Sequence, residues 1–432
     1  MEVKNVEPGS LVKLRTREEE IEGTILESHD PEIILVKLKS GYNIGIKEEE
    51  ILSLKVLKKP EKPKEEKEKP GTKIDKEKKN IAMIITGGTI SSRLDPKTGA
   101  VKWLTDPATL LKFYPEISEI ANIIKIEVPF MKASENMDSE DWQKIAEVAV
   151  RLLNDSNISG IIITHGTDFL HYTSAALSFF LKNLNKPVVL TYSQRSSDRA
   201  SSDTTLNLIC SARAAISEIA EVMLVGHASS NDNFCYAIPG TKVRKLHTSR
   251  RDAFKAINAK PIAKIFPDRI EKISHYNLRD ERKKVELHAH FNKKVALVKF
   301  FPGMKAELIE YLAKNNKGIV IEMSGLGHVA TDEANNNLLP AVKKAIKSGT
   351  IICTACQTIF GRLDPYVYSP GRALVEAGVI FLEDMLAETA LVKLGWTLGN
   401  PNWARKNETI KEIMLKNFAG EFNPRLEEKM FI

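Results

Sequence analysis

Two short runs place hydroxyl groups directly after an apolar strand: Ile84-Ile85-Thr86-Gly87-Gly88-Thr89 and Ile161-Ile162-Ile163-Thr164-His165-Gly166-Thr167-Asp168. A β-branched run that breaks at glycine and leads into a helix-like segment reads as a buried parallel strand delivering residues to its carboxyl edge. In open α/β sheets that edge is where ligands bind. The glycines before Thr89 let the backbone approach a substrate closely, and the polar stretch from Ser91 to Gly99 has the composition of a mobile lid. A threonine capping a tight turn explains Gly-Gly-Thr equally well, and a helix starting near Phe169 could use Thr167 or Asp168 as its cap. Neither run is a dinucleotide fingerprint or a phosphate loop.

A threonine hydroxyl is a weak nucleophile until another group takes its proton. Lys245, within Val243-Arg244-Lys245-Leu246-His247-Thr248, supplies an amine, although a solvated surface lysine is the plainer reading of that stretch. A Thr–Lys–Asp chain can carry the proton, and backbone amides at the glycine turns can stabilise an oxyanion. These are the parts of an acyl-transfer site.

The elements that must hold those parts follow from periodicity. Four short strands, at 10–14, 21–26, 33–38 and 42–46, predict a small all-β module over residues 1–57, a half-open barrel of the SH3 type. Residues 58–80 carry ten lysines against six acidic residues and read as an extended charged tether. A contact with nucleic acid is a second reading of that segment. Strands near 81–86, 122–128, 160–164, 187–191 and 221–226 then alternate with helices near 106–113, 140–154, 171–182 and 204–217. This is a wound α/β domain with a mostly parallel sheet, spanning 81–275. The stretch 240–292 reads as an irregular, charged crossing to a smaller α/β domain over 293–405, followed by a tail or helix at 406–432. Strands near 294–299, 318–322 and 350–354 and helices near 304–314, 333–347 and 384–396 fill that smaller unit.

At 432 residues, with 43% hydrophobic and 28% charged content and a net charge of +7, the chain has the composition of a soluble globular protein of two or three domains. No apolar run approaches the ~20 residues of a bilayer span, and the amino terminus lacks a signal pattern, which predicts a cytoplasmic protein. Cysteines at 210, 235, 353 and 356 fit a reducing compartment. The pair Cys353-x-x-Cys356 lacks a second ligand pair, so no metal site is expected.

The TGGT and HGTD motifs, with a lysine ahead of a threonine-containing turn, resemble the bacterial-type L-asparaginases over residues 80–400. The resemblance implies that Thr89 is the nucleophile and that Thr167, Asp168 and Lys245 complete the catalytic set. It implies substrate contacts from Gly88, from Gly166 and from Ser134 and Glu135 of the Ser134-Glu135-Asn136-Met137 loop. That family carries a lid tyrosine after the nucleophile, whereas here no tyrosine lies between Thr89 and Trp103. Lid closure is therefore expected to work differently or to depend on a partner.

Three further runs narrow the match: 194–199 (QRSSDR), 245–254 (KLHTSRRDAF) and 387–394 (AETALVKL). With the N-terminal β module on its tether, they resemble GatD, the asparaginase-like glutaminase subunit of the archaeal Glu-tRNA(Gln) amidotransferases. The resemblance implies a glutaminase that holds no cofactor itself and passes ammonia to the kinase–transamidase subunit of the same amidotransferase. ATP and Mg would serve the partner's conversion of Glu-tRNA(Gln) to Gln-tRNA(Gln). A homodimer within a heterotetramer is expected, the dimer argued from apolar spacing over Met385 to Trp396 and from the family. A free-standing L-asparaginase with an appended β domain is the alternative enzyme. A nucleic-acid-binding protein on an inactive scaffold is the alternative outside enzymes.

Overall fold

The computed structural model describes residues 6–26, 28, 32–38, 43–59, 75–94, 101–103, 117–196, 201–332 and 334–431. The helix expected at 106–113 and most of the charged tether lie outside the described residues.

The N-terminal module has five strands: β1 (Leu11–Arg15), β2 (Glu20–Leu26), β3 (Ile33–Leu38), β4 (Asn43–Lys47) and β5 (Ser53–Lys58). They form one antiparallel sheet in the order β4-β3-β2-β1-β5. Val12, Leu14, Ile21, Ile25, Val36 and Ile46 make its core, as the alternating pattern requires. β5 escaped the sequence reading because nearly all of its residues are exposed, so it shows no buried face.

The chain then runs through β6 (Asn80–Ile85), β7 (Ser92–Leu94), β8 (Val101–Trp103), α1 (Ile117–Ile120), β9 (Asn122–Glu127), α2 (Ser139–Leu153), β10 (Ile161–Thr164) and α3 (Leu170–Phe180). It continues with β11 (Leu181–Lys182), β12 (Val188–Thr191), α4 (Thr204–Ala215), β13 (Val222–His227) and β14 (Cys235–Pro239). Next come β15 (Val243–Lys245), β16 (Phe254–Ala256), β17 (Ala263–Ile265), β18 (Ile270–Lys272) and β19 (Glu286–Leu287). The main sheet has the order β18-β17-β14-β13-β12-β10-β6-β9. Its β9, β6, β10, β12 and β13 are parallel and its last three strands antiparallel.

The stretch 240–292 is thus more ordered than its composition predicts. β17 and β18 extend the main sheet, and β15 pairs with β16 in a separate ribbon. Strands of three residues are too short to show a period, which is why the sequence hid them. The helix expected to reach residue 182 stops at Phe180, where Leu181 and Lys182 pair with β19 instead.

The smaller unit comprises β20 (Val295–Lys299), α5 (Ala306–Asn315), β21 (Gly318–Met323), α6 (Leu339–Lys347), β22 (Ile351–Cys356), α7 (Ser369–Ala377), β23 (Ile380–Phe381), α8 (Ala387–Gly399) and α9 (Asn407–Leu415). Its four strands are parallel in sequence order. α8 belongs to both units. Val392 and Trp396 sit in the core around α3, while Ala387, Ala390, Leu394 and Leu398 sit in the core of the small sheet. α8 is buried on nearly every side, its polar Glu388, Thr389, Lys393 and Thr397 included. Its apolar spacing is consumed within the chain and gives no argument for a dimer. Among the described residues no helix is long and apolar enough to cross a membrane.

Candidate active site

β6 and β10 are neighbours in parallel register, with Ile85 opposite Thr164, so their two turns emerge side by side. Thr86 fastens them: its amide and its hydroxyl both donate to the Thr164 carbonyl, at 3.2 and 2.8 Å. Gly87 and Gly88 then take φ of 118° and 83°, a region that disfavours side chains. A Cβ on Gly88 would lie 2.5 Å from the Gly166 nitrogen, and one on Gly166 would lie 3.0 Å from the Ser134 Cβ. Gly88, Gly166 and Ser134 therefore stack in direct contact; only glycine fits at Gly88, and at Gly166 a side chain would force Ser134 to shift.

Ser134 is buried, and its Oγ accepts from the Phe169 amide at 3.3 Å. Glu135 is exposed at the rim, beside a cavity of 360 Å³ walled in part by Trp142, Phe169, Tyr172 and Phe291. Thr89 is half-buried one residue past Gly88, and its hydroxyl has no hydrogen-bond partner among the described residues. The expected lid begins as a two-stranded ribbon, β7 pairing with β8, and residues 95–100 between them lie outside the described residues.

Lys245 arrives from β15. Its Nζ donates to Thr167 Oγ1 at 2.8 Å and to Asp168 Oδ1 at 2.7 Å. The lysine side chain is 9% exposed and the aspartate 64%, so the pair spans the boundary between core and solvent. The capping reading of Thr167 and Asp168 fails. The residue at the start of α3 is Phe169, and no side chain caps it. The surface reading of Lys245 fails with it.

One residue of the HGTD motif took no role in the sequence reading. His165 is fully buried, with Nδ1 2.8 Å from the Gly166 carbonyl and Nε2 2.8 Å from Thr173 Oγ1. A carbonyl only accepts, so Nδ1 carries the proton and the threonine hydroxyl donates to Nε2. Burial lowers the imidazole pKa to about 4, so the ring is neutral and fixes the turn that holds Gly166 and Thr167. Beyond the neighbouring strand β12, Asp203 at the start of α4 accepts from the amides of Gln194 and Arg195 at 2.9 and 3.0 Å, ordering the start of the QRSSDR run.

Behind Lys245 lies a second group that sequence reasoning missed. Arg244 Nη2 forms an ion pair with Glu388 Oε1 at 3.0 Å, and His171 Nε2 lies 4.0 Å from the same oxygen. Burial raises the Glu388 pKa, and burial, followed by the charge of Arg244, lowers that of His171 to about 3. The available signal was Glu388 itself, the one acid in a mainly apolar helix. Cys353 and Cys356 lie three apart on one strand and so face opposite sides, and all four cysteines are free. Among the described residues no group of three or more His, Cys, Asp or Glu could hold a metal ion.

The fold and its domain order define an asparaginase-class protein. The family described as "Asparaginase, N-terminal" matches residues 80–277, and "Glutaminase/Asparaginase C-terminal domain" matches 294–414. The L-asparaginase of Thermococcus kodakarensis superposes with a TM-score of 0.70 at 29% identity, covering 80% of this chain and 100% of that one. L-asparaginase I from Vibrio cholerae gives 0.68 at 27%, covering 80% and 99%.

Residues 6–57 match a separate family, "GatD N-terminal domain". The GatD subunit of the glutamyl-tRNA(Gln) amidotransferase of Pyrococcus furiosus is 46% identical, covering 99% of this chain and 98% of that protein. The corresponding subunits of Thermococcus kodakarensis and Sulfolobus acidocaldarius are 45% and 43% identical, each over 94% of its own length. The chain belongs to the GatD family of glutamyl-tRNA(Gln) amidotransferase subunits.

Proposed function

We propose that this chain is the glutamine-hydrolysing subunit of a tRNA-dependent amidotransferase. The observation that carries the reading is the junction of the TGGT and HGTD turns, where Lys245 binds Thr167 and Asp168 one residue beyond the contact of Gly88 with Gly166. Thr89, whose hydroxyl has no hydrogen-bond partner among the described residues, attacks the side-chain amide carbon of glutamine. Backbone amides of the glycine turns stabilise the oxyanion, and collapse of the intermediate expels ammonia and leaves a glutamyl ester on Thr89. Thr167 and Lys245, oriented by Asp168, relay the protons of attack and of the hydrolytic water that releases glutamate. Ser134, Glu135 and the backbone at Gly88 and Gly166 hold the substrate's amino-acid end.

Ammonia then passes to the kinase–transamidase partner, which uses ATP and Mg to amidate Glu-tRNA(Gln). The assembly is cytoplasmic, with a homodimer of this chain at the centre of a heterotetramer. The test is ammonia release from glutamine and asparagine, with and without partner and Glu-tRNA(Gln). Slow release from glutamine that rises with partner and tRNA supports the reading. Fast release from asparagine by the chain alone would replace it with a free-standing asparaginase. Thr89→Ala should abolish glutamine hydrolysis, by at least ~10³-fold, while amidation driven by added ammonium persists in the complex.

A further inference from the structure

The residues leading into Lys245 are held from the other domain. Thr389 Oγ1 donates to the Thr241 carbonyl at 2.9 Å, and Thr241 Oγ1 donates to the Ala419 carbonyl at 2.9 Å. Lys242 Nζ pairs with Asp384 Oδ2 at 2.6 Å, both side chains fully enclosed. Arg244 pairs with Glu388 at 3.0 Å. Successive side chains on a strand point to opposite faces. Lys245 therefore projects toward Thr167 and Asp168 while Arg244, beside it, projects toward the small domain.

These anchors differ in completeness. Asp384 is fully engaged, since its carboxylate also accepts from the Asn423 amide at 3.0 Å and its carbonyl accepts from Asn258 Nδ2 at 3.2 Å. The Glu388 contact is unfinished. Among the described residues its buried Oε2 has no partner, and neither has Nδ1 of the neighbouring His171. Unpaired buried polar atoms are rare, and each one calls for a structural or functional explanation. His171 also stacks on Phe169 at 6.5 Å, the residue that follows Asp168 and donates its amide to Ser134. Glu388 thus lies behind both sides of the site, Lys245 through Arg244 and the Asp168 turn through His171.

We propose that Glu388 is a positioning residue for Lys245, acting through Arg244, so that displacement of the small domain is felt at the lysine. The proposal rests on the reading of Lys245 as the proton carrier. It makes the small domain the lever through which a docked partner raises or lowers hydrolysis, with α8 as the rigid link.

The experiment compares Glu388→Gln, Arg244→Lys and Ile309→Ala with wild type. The Ile309 change empties part of the core under α5, away from residues 241–244. Two quantities are read: the rate at which an amine-directed reagent labels Lys245 in the full chain, by peptide mass spectrometry, and kcat and KM for glutamine in the complex. Glu388→Gln should label Lys245 ~5-fold faster or more and lose ~10- to 100-fold in kcat with KM nearly unchanged, the pattern of misplacement and not of lost binding. Arg244→Lys, which keeps a cationic donor, should stay within ~5-fold of wild type in kcat. Ile309→Ala should lower Tm and leave both readouts alone. Wild-type labelling and kcat in Glu388→Gln would overturn the proposal, as would a kcat loss that merely tracks Tm across all three variants. If Lys245→Ala retains glutaminase activity, the proton-carrier reading fails, yet the labelling result still decides whether Glu388 positions the lysine.

Discussion

His165 and His171 are both enclosed and both neutral, with pKa values brought down to about 4 and about 3 from an ordinary 6.5. Because the folded-state values are depressed, an unfolded chain binds more protons than the folded one throughout the interval below 6.5. Stability therefore rises with pH there: the contribution is complete above pH 6.5 and is lost as pH falls toward 4 and 3. Thermal melts should show Tm dropping across that window, and His171→Phe should flatten the drop, since it removes one such group and its unpaired Nδ1. A slope unchanged in the variant would mean that groups other than His171 dominate acid unfolding; Asp155, lowered from 3.8 to about 2 by its bonds to Lys125 and Asn157, contributes only as pH falls between those values.

At the scale of elements, the proposed catalysis needs two strand-to-turn junctions that meet without side chains. Gly88 has no room for a Cβ and holds a φ of 83°. Gly88→Ala should cost about 1–3 kcal/mol from backbone strain alone. Relief of the clash must also push apart the turns carrying Thr89 and Thr167, which should lower kcat by ~10²-fold. Denaturant melts and glutamine kinetics read the two effects separately. Full activity in the alanine variant would show that the turns need not touch.

For the whole molecule, the C-terminal segment ties the domains. Lys393 of α8 and Glu421 of the tail form an ion pair at 2.7 Å with both side chains fully enclosed. Lys393 also donates to the carbonyls of Met414 and Lys416 at 2.9 and 2.6 Å. Breaking a buried pair on one side is far costlier than the pair's net contribution, so Glu421→Ala should lower stability by ~3–5 kcal/mol. A double change of Lys393→Met with Glu421→Leu should recover much of it, measurable by urea melts. Because α8 spends its apolar surface inside the chain, the homodimer expectation now rests on family resemblance alone. Sedimentation at micromolar concentration should still show a dimer, and a stable monomer would remove that expectation.

Read alone, the residues were enough for the two α/β units, the N-terminal β module and the pairing of TGGT with HGTD. Continuous β-branched runs mark buried parallel strands, and a glycine turn after such a run marks the sheet edge where ligands bind. What remained hidden was short or distant. Three-residue strands such as β15 and β17 have no period to read. The joining of Lys245 to Thr167 and Asp168, of Arg244 to Glu388 and of Lys393 to Glu421 depends on how separate segments pack. An apolar helix looks the same whether it faces a second copy of the chain or a second domain. Only the tertiary structure decided that α8 faces inward on both sides, because burial belongs to a neighbourhood and not to a residue type.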